Sequence, residues 1–550
     1  MNTPLFRNSV IIGVFMLVAA LGFWVSYSAP YSPSSDELVY LTGTLQAKEG
    51  NLPDAYMLKG MDFGPYLYPQ VMSAWYESFG YWAFKSLYLV TLIIATGLAA
   101  YAMYRLLGLQ WVPALLLSVV ALMPRFSSGQ EIFGVLTFKE AIGRAGALPL
   151  FFIGTGFLIK RLKEGKSLWP IFGIFGLLLF LHPVTVMLFA FISLVAVAIT
   201  RAFQRTSLWS IVRETFVSGI TFILAGSYLF IEVFQRLGNG VADKGVSTVL
   251  YVQAIMFRNA WEFPIEALLW FRHIAIVSAF FIVALIIFYT LPALRSLRER
   301  YVLSHGRDLL VWGVATALGS LIITILFPGL NLYFMAHADA PYIFQQWSRI
   351  SKFYYLGLFV ALIPMVYALW QGYLESQGRY KKVLVALLFI AGILSSSFGF
   401  EVAQFAIGYK NFEKAYIPQT LSRIPDDTTP AEYREACNAL TELGATSTTL
   451  MISSDFAFRY YCRAHLYVTN EEGGAYQQLL RSDVVNWYTK LLAQRAALGR
   501  GDPQKILDFA KSIGADFVIV PRVAKYAFLE ILAGHKIVMT TKHIIVKVAK

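Results

Sequence analysis

Apolar residues fill most of the first four-fifths of the chain in blocks long enough to be read as membrane helices. A helix needs roughly 20 apolar residues to cross a hydrocarbon core about 30 Å thick, fewer where the bilayer thins. Eleven stretches approach that length: 8–27, 81–105, 110–123, 145–160, 168–181, 184–200, 214–234, 265–291, 309–328, 353–371 and 383–403. The fifth is short and ends in His182-Pro183, so the fifth and sixth can also be read as one re-entrant pair. The pattern predicts a mainly α protein, a polytopic transmembrane helical bundle of about 11 spans over 1–409.

Near residue 410 the pattern changes. Residues 410–550 hold no spanning stretch and carry ordinary charge density. Pro425 to Pro430 reads as a linker or turn, with Thr429 as a candidate N-cap. Helical periodicity over 431–443 and 503–513 alternates with strand-like runs at 448–453, 465–469, 517–520 and a terminal hairpin over 536–548. That alternation predicts a small α/β domain outside the membrane. Gly473-Gly474 and Gly514 are turn residues, and no GxGxxG or P-loop pattern occurs.

Composition agrees. Hydrophobic residues make up 57% of the 550 and charged residues 14%, against about a quarter charged in soluble proteins. A net charge of +13 would point to nucleic acid in a soluble chain. Here the basic residues sit in short clusters between apolar runs, which makes them topology signals and lipid-headgroup contacts. One alternating set of connections holds Arg7, Arg105, Lys160 to Lys163, Arg201 with Arg205, Arg295 to Arg300, and Arg379 to Lys382. The positive-inside rule makes these cytoplasmic, so an odd number of spans places the amino end inside and the carboxyl-terminal domain outside. The first apolar stretch reads as an uncleaved span, with a signal peptide as the alternative. Cys437 and Cys462 lie in no CxxC or Cys/His cluster, which argues against zinc or iron–sulfur ligation. Outside the membrane they could form a disulfide or remain two buried thiols.

The outer connections, 28–80, 124–144, 235–264 and 329–352, carry the candidate chemistry. In the first, Asp36 and Glu37 are followed by Leu38, Leu41 and Leu45 at helical spacing, a pattern suited to an interfacial helix. Structurally, Ser35 would cap that helix and the acids would favour its dipole. Functionally, a carboxylate fixed at the membrane surface could deprotonate a hydroxyl or hold a cation. The two readings are compatible. Arg349 and Lys352, three apart at the start of the tenth span, could cradle a phosphate or simply snorkel to headgroups. Arg125 and Arg144 in the second outer loop compete for the phosphate role, with Lys139 beside them. His182 interrupts an apolar run at membrane depth. Either Pro183 breaks the helix and His182 bonds a freed carbonyl, or His182 lines an acceptor cavity. His337 and Asp339 form a second acid–imidazole constellation facing outward. Trp and Tyr near span ends read as an aromatic belt.

A first span followed at once by an outer loop with an acidic pair resembles the GT-C superfamily of membrane glycosyltransferases. The stretch from Ser34-Ser35-Asp36-Glu37 to Tyr66-Leu67-Tyr68-Pro69 is similar to their first loop, and the long outer loops and outer carboxyl-terminal domain also fit. The resemblance implies an inverting transferase in a bacterial inner membrane. It would move a sugar from a polyprenyl-phosphate donor to a glycan, lipid or protein acceptor at the periplasmic face. Asp36 would then be the general base, with Glu37 as its supporting partner. Some relatives carry Asp-x-Asp at this place, whereas Ser34 stands at the first such position here. That departure favours metal-independent base catalysis over a metal-bridging pair, with a divalent metal left open as cofactor. The rivals are a polymerase or ligase acting on lipid-linked glycans, a transporter or flippase, and a scaffold whose outer domain does the work. No repeated halves are visible and the charges lie in outer loops, which disfavours transport. Eleven spans are excessive for an anchor.

Overall fold

The computed structural model describes residues 4–27, 81–122, 143–231, 246–258, 285–303, 306–337, 352–375, 431–470, 481–499, 501–531 and 534–549, with shorter pieces between them. The helices of the apolar part are α1 (Pro4–Tyr27), α2 (Tyr81–Leu106), α3 (Trp111–Ala121), α4 (Leu148–Lys163), α5 (Trp169–Leu177), α6 (Pro183–Phe203), α7 (Leu208–Ala225), α8 (Thr248–Arg258), α9 (Arg307–His337) and α10 (Lys352–Glu375). Among the described residues, five segments are long and apolar enough to cross a bilayer: Lys85–Leu106, Pro183–Phe203, Leu208–Ala225, Arg307–Tyr333 and Phe353–Glu375. The eighth predicted stretch lies mostly, and the eleventh wholly, outside the described residues apart from a few isolated positions.

Local chemistry sets the boundaries. Pro183 opens α6, where a missing N–H costs nothing, and His182 Nδ1 accepts from Thr185 N–H at 3.2 Å. His182 therefore caps a freed backbone donor. Ser207 caps α7 in the same way, accepting from Ser210 N–H. α7 starts six residues before the predicted 214, and the charged pair Arg213 and Glu214 lies inside the helix instead of at its edge. The charge of Glu214 is met there by Arg201 of α6, at 2.9 Å. α7 breaks at Gly226, with helix resuming over 227–231, and at the break it meets α5 backbone to backbone. A Cβ on Gly176 would lie 2.4 Å from the Phe222 carbonyl oxygen. With its 3-10 extension Leu178–Phe180, α5 rises only about 20 Å, short of a hydrocarbon core. α5 leaves from and α6 returns to the basic side, so the sides of the connections are the same whether or not α5 is a full span.

α10 is the axis of the bundle, with 89% of its apolar window buried, whereas α7 has only 11% buried and faces outward. α9 and α10 meet through a small-residue seam, Gly313 and Ala317 against Gly357 and Ala361. Phe151, Phe175, Phe189 and Phe353 tie α4, α5, α6 and α10 together, with ring centroids 4.9–5.5 Å apart.

The basic ends gather on one face. Trp370 Nε1 donates to Gln110 Oε1, Arg300 pairs with Glu375 at 3.2 Å, and Lys163 faces Asp308. From Asp308, α9 climbs about 36 Å to Leu332, and Leu332 packs among Tyr251, Trp487 and Val468. The carboxyl-terminal domain therefore docks on the face opposite the basic ends.

Two short strands of the apolar part are β1 (Arg125–Phe126) and β2 (Ile132–Phe133), and the carboxyl-terminal domain holds α11 (Ala431–Glu442), β3 (Leu450–Ile452), α12 (Ala457–Tyr461), β4 (His465–Leu466), α13 (Arg481–Gly499), α14 (Pro503–Ser512), β5 (Phe517–Pro521), β6 (Lys536–Met539) and β7 (His543–Lys547). The sheet order is β4-β3-β5-β7-β6, parallel across β4-β3-β5 and antiparallel across β5-β7-β6. The period-2 alternation of β5 sends Phe517 and Ile519 to the face that α11 covers and Val518 and Val520 to the face under α14. Cys437 and Cys462 form a disulfide, clamping α11 to the end of α12. α13, which the sequence reading left unassigned, supplies the docking surface through Val484, Trp487 and Leu491 against α8.

Candidate functional site

The start of α2 lies toward the tail-bearing face, since α2 ends at Arg105 among the basic ends. Asp36 and Glu37 lie outside the described residues, as do Arg349 and Asp339. The residues that follow the acidic pair are described in part. Leu38, Val39, Leu41 and Thr42 are helical, and Leu38, Leu41 and Thr42 are buried. The apolar spacing that predicts an interfacial helix thus ends in packed side chains, two residues after Asp36.

Arg125, Arg144, His337 and Lys352 are described through their backbone alone. Arg125 lies in a two-residue strand (Arg125–Phe126) that pairs antiparallel with Ile132–Phe133. Both strands pack against α10, the helix that Lys352 opens. His337 closes α9. Arg144 belongs to a single helical turn, Gly143–Gly146. A Cβ on Gly146 would sit 3.3 Å from the Tyr88 hydroxyl of α2. The structure therefore brings the strands Arg125–Phe126 and Ile132–Phe133 to α10 and the turn Gly143–Gly146 to α2; Asp339, the expected companion of His337, lies outside the described residues.

Sequence reading missed one residue here, Lys85. It lies in the second turn of α2, one helical turn from Tyr88, and is only 9% exposed. An ionisable side chain buried at the end of a spanning helix is costly and points to a function. Its signal was present, a lone lysine after Tyr81-Trp82-Ala83-Phe84, but a basic residue near a span end reads first as a headgroup anchor. A second position, Thr42, adds a buried hydroxyl with no hydrogen-bond partner among the described residues.

The docked domain carries a second polar cluster, at the carboxyl ends of β3 and β5. Tyr433 Oη donates to Asp455 Oδ2 at 2.6 Å, and Asp455 Oδ1 accepts from Ala457 N–H at 2.9 Å. Tyr433 stacks on Tyr461 and its ring lies beside His543. Burial, reinforced by Asp455, pushes the Tyr433 phenol far above its ordinary range. Burial likewise holds His543 below the ordinary histidine value, against the pull of Asp455, Glu432 and Glu435. Both groups are therefore neutral near pH 7, and the cluster serves as a lock between α11 and the sheet. Ser453-Ser454-Asp455 is accordingly a turn cap: Ser453 Oγ accepts from Asp455 N–H. Among the described residues no group of three or more His, Cys, Asp or Glu could hold a metal ion.

Docking of the domain is specific. Arg481 donates to Thr248 Oγ1 at 3.2 Å and lies 4.6 Å from the Tyr251 ring centroid, and Arg495 stacks on Phe257 at the same distance. Trp487 Nε1 donates to the Thr469 carbonyl, and its ring fills the space beside Gly473. α8, hidden in the loop read as 235–264, is thus the bracket that holds the domain over the bundle.

No protein-family model matches the chain, and no curated protein matches it. Among solved structures, the crystal structure of ArnT from Cupriavidus metallidurans bound to undecaprenyl phosphate aligns over 98% of this chain and 98% of its own, with 12% identity and a TM-score of 0.40. At that level the likeness carries no functional argument, and the site stands on the chain's own residues.

Proposed function

We propose that the chain is a membrane glycosyltransferase of the GT-C type, taking a sugar from a polyprenyl-phosphate donor at the face where its carboxyl-terminal domain docks. The observation that carries this reading is Lys85, a buried basic side chain in the second turn of α2. A lipid phosphate delivered from the bilayer needs its charge met at such a depth, and a buried ammonium is worth more there than in water. Asp36 supplies the complementary function. Its carboxylate takes the proton of the acceptor hydroxyl as the new glycosidic bond forms at the sugar's anomeric carbon. The bond from that carbon to the donor's phosphate oxygen breaks, and the lipid phosphate leaves. Glu37 supports the base. Arg125, Arg144, Arg349 and Lys352 are the further basic residues for the departing phosphate, while His182, His337 and Asp339 remain candidates for the acceptor side. We assign the face to the periplasm of a bacterial inner membrane, supported by the basic connections on the opposite face and by the Cys437–Cys462 disulfide, which belongs in an oxidising compartment. The test is to supply membranes containing the protein with polyprenyl-phosphate sugars labelled in the sugar. Label should move to an endogenous acceptor only when the chain is present, and no transfer from any such donor would sink the proposal.

A further inference from the structure

The basic face holds a separate concavity. It is a cavity of about 410 Å³ between the α4–α5 loop and the α6–α7 turn, and Trp169, Arg201, Ser210, Arg213, Glu214 and Ser218 are among the residues lining it. That volume falls in the range of roughly 300–1,000 Å³ typical of small-ligand pockets.

The polar groups are not all spent. Arg201 is committed to Glu214, through Nε to Oε2 at 2.9 Å and Nη2 to Oε1 at 3.3 Å, and to Gln204 Oε1 at 3.2 Å. Glu214 is thereby neutralised. Arg213 is exposed and has no ion pair or hydrogen bond among the described residues. Ser218, five residues along α7, is 1% exposed, and its hydroxyl has no hydrogen-bond partner among the described residues. A buried hydroxyl without a partner costs free energy, so a ligand that accepts its hydrogen bond is favoured. The surroundings share the sign: residues 160–166 and 201–214 hold seven Lys or Arg against two Glu.

The rim identifies the ligand's source. Trp169, Trp209 and Phe216 are 49%, 75% and 63% exposed, on a helix pair at the edge of the bundle. Large apolar side chains displayed beside a spanning segment face acyl chains, and tryptophan prefers the headgroup boundary. A cationic, hydroxyl-bearing pocket opening on such a rim suits a phosphate group that arrives on a lipid. We propose that this cavity binds the phosphodiester headgroup of an anionic phospholipid from the leaflet on the basic side, with Arg213 and Ser218 donating to the phosphate oxygens. The proposal rests on α6 and α7 spanning the membrane and is independent of sugar transfer.

Native mass spectrometry of the full chain, released from micelles doped with equal phosphatidylglycerol and phosphatidylcholine, tests it. Wild type should retain phosphatidylglycerol in preference. Arg213→Gln, a change at an exposed and unpaired side chain, should reduce retention about tenfold, and Ser218→Ala should reduce it further. Thermal unfolding in neutral detergent should be unaltered for Arg213→Gln. Lys160→Gln removes the same charge outside the cavity and should leave retention intact. Equal retention of the two lipids, or equal loss in Lys160→Gln, would overturn the site in favour of diffuse attraction. Displacement of the lipid by millimolar inorganic phosphate would overturn the lipid source.

Discussion

The α9–α10 seam gives the sharpest structural prediction. A Cβ on Gly313 would lie 2.4 Å from the amide nitrogen of Ala361 and 2.5 Å from the carbonyl oxygen of Gly357. Ordinary contact begins near 3.4 Å, so the helices would have to part by about 1 Å. The obstructing atoms are backbone and cannot rotate away. A gap of that size forfeits roughly a quarter to a half of each dispersion contact along the seam, on top of the ordinary overpacking cost of about 1–3 kcal/mol. Gly313→Ala should therefore cost about 3 kcal/mol, roughly 150-fold in the folding equilibrium. Gly329 on the same helix is the internal control, because a Cβ there meets nothing within 4 Å. Gly329→Ala should be neutral or slightly stabilising through helix propensity. Unfolding of the purified protein by titrating a denaturing detergent into mixed micelles measures both. If Gly313→Ala is no worse than Gly329→Ala, the backbone-to-backbone seam is wrong.

Other expectations concern the docked domain and the site. Replacing Cys437 and Cys462 together with Ser should lower the domain's unfolding free energy by about 3 kcal/mol, since the bridge closes a loop of intermediate length; thermal melts with and without reductant would read this, and unaltered melts would refute it. His543 is held below its ordinary value, so the unfolded chain binds its proton more readily than the folded one. Stability should thus be full above the unfolded value of about 6.5 and fall as pH drops from there toward the lower folded value. Melting temperatures of wild type and His543→Phe across pH 7.5 to 5.5 measure the slope, which should shrink in the variant. Lys85→Gln should raise the donor KM about tenfold or more while the acceptor KM stays unchanged; equal effects on both substrates would place Lys85 in the packing alone.

Spans with uniform apolar composition were legible to within one residue at 81–105 against Tyr81–Leu106, and to within four at 353–371 against Lys352–Glu375. α7 was misplaced because Glu214 carries its charge inside a helix, satisfied by Arg201, 13 residues away, which no local window can see. α13 was missed although Val484, Trp487, Leu491 and Leu498 stand at helical spacing, because polar residues between them masked the stripe. In the carboxyl-terminal domain the hairpin alternation over 536–548 gave β6 and β7 with a turn at 540–542. The disulfide was open from sequence, since only the fold brings Cα atoms 25 residues apart to within 5.1 Å. As for the site, the acidic pair and the basic outer residues were visible in the pattern, whereas the burial of Lys85 depends on neighbours packed from distant segments.

The most direct test of the account is the single-turnover rate of sugar transfer from a polyprenyl-phosphate donor, measured for wild type and Asp36→Asn at equal protein. A positioned base contributes about 10²–10⁴-fold, so the variant should fall by that factor while its melting temperature and donor binding hold. A rate within a factor of two of wild type would contradict it, and the acidic pair would then be no more than the opening of an interfacial helix.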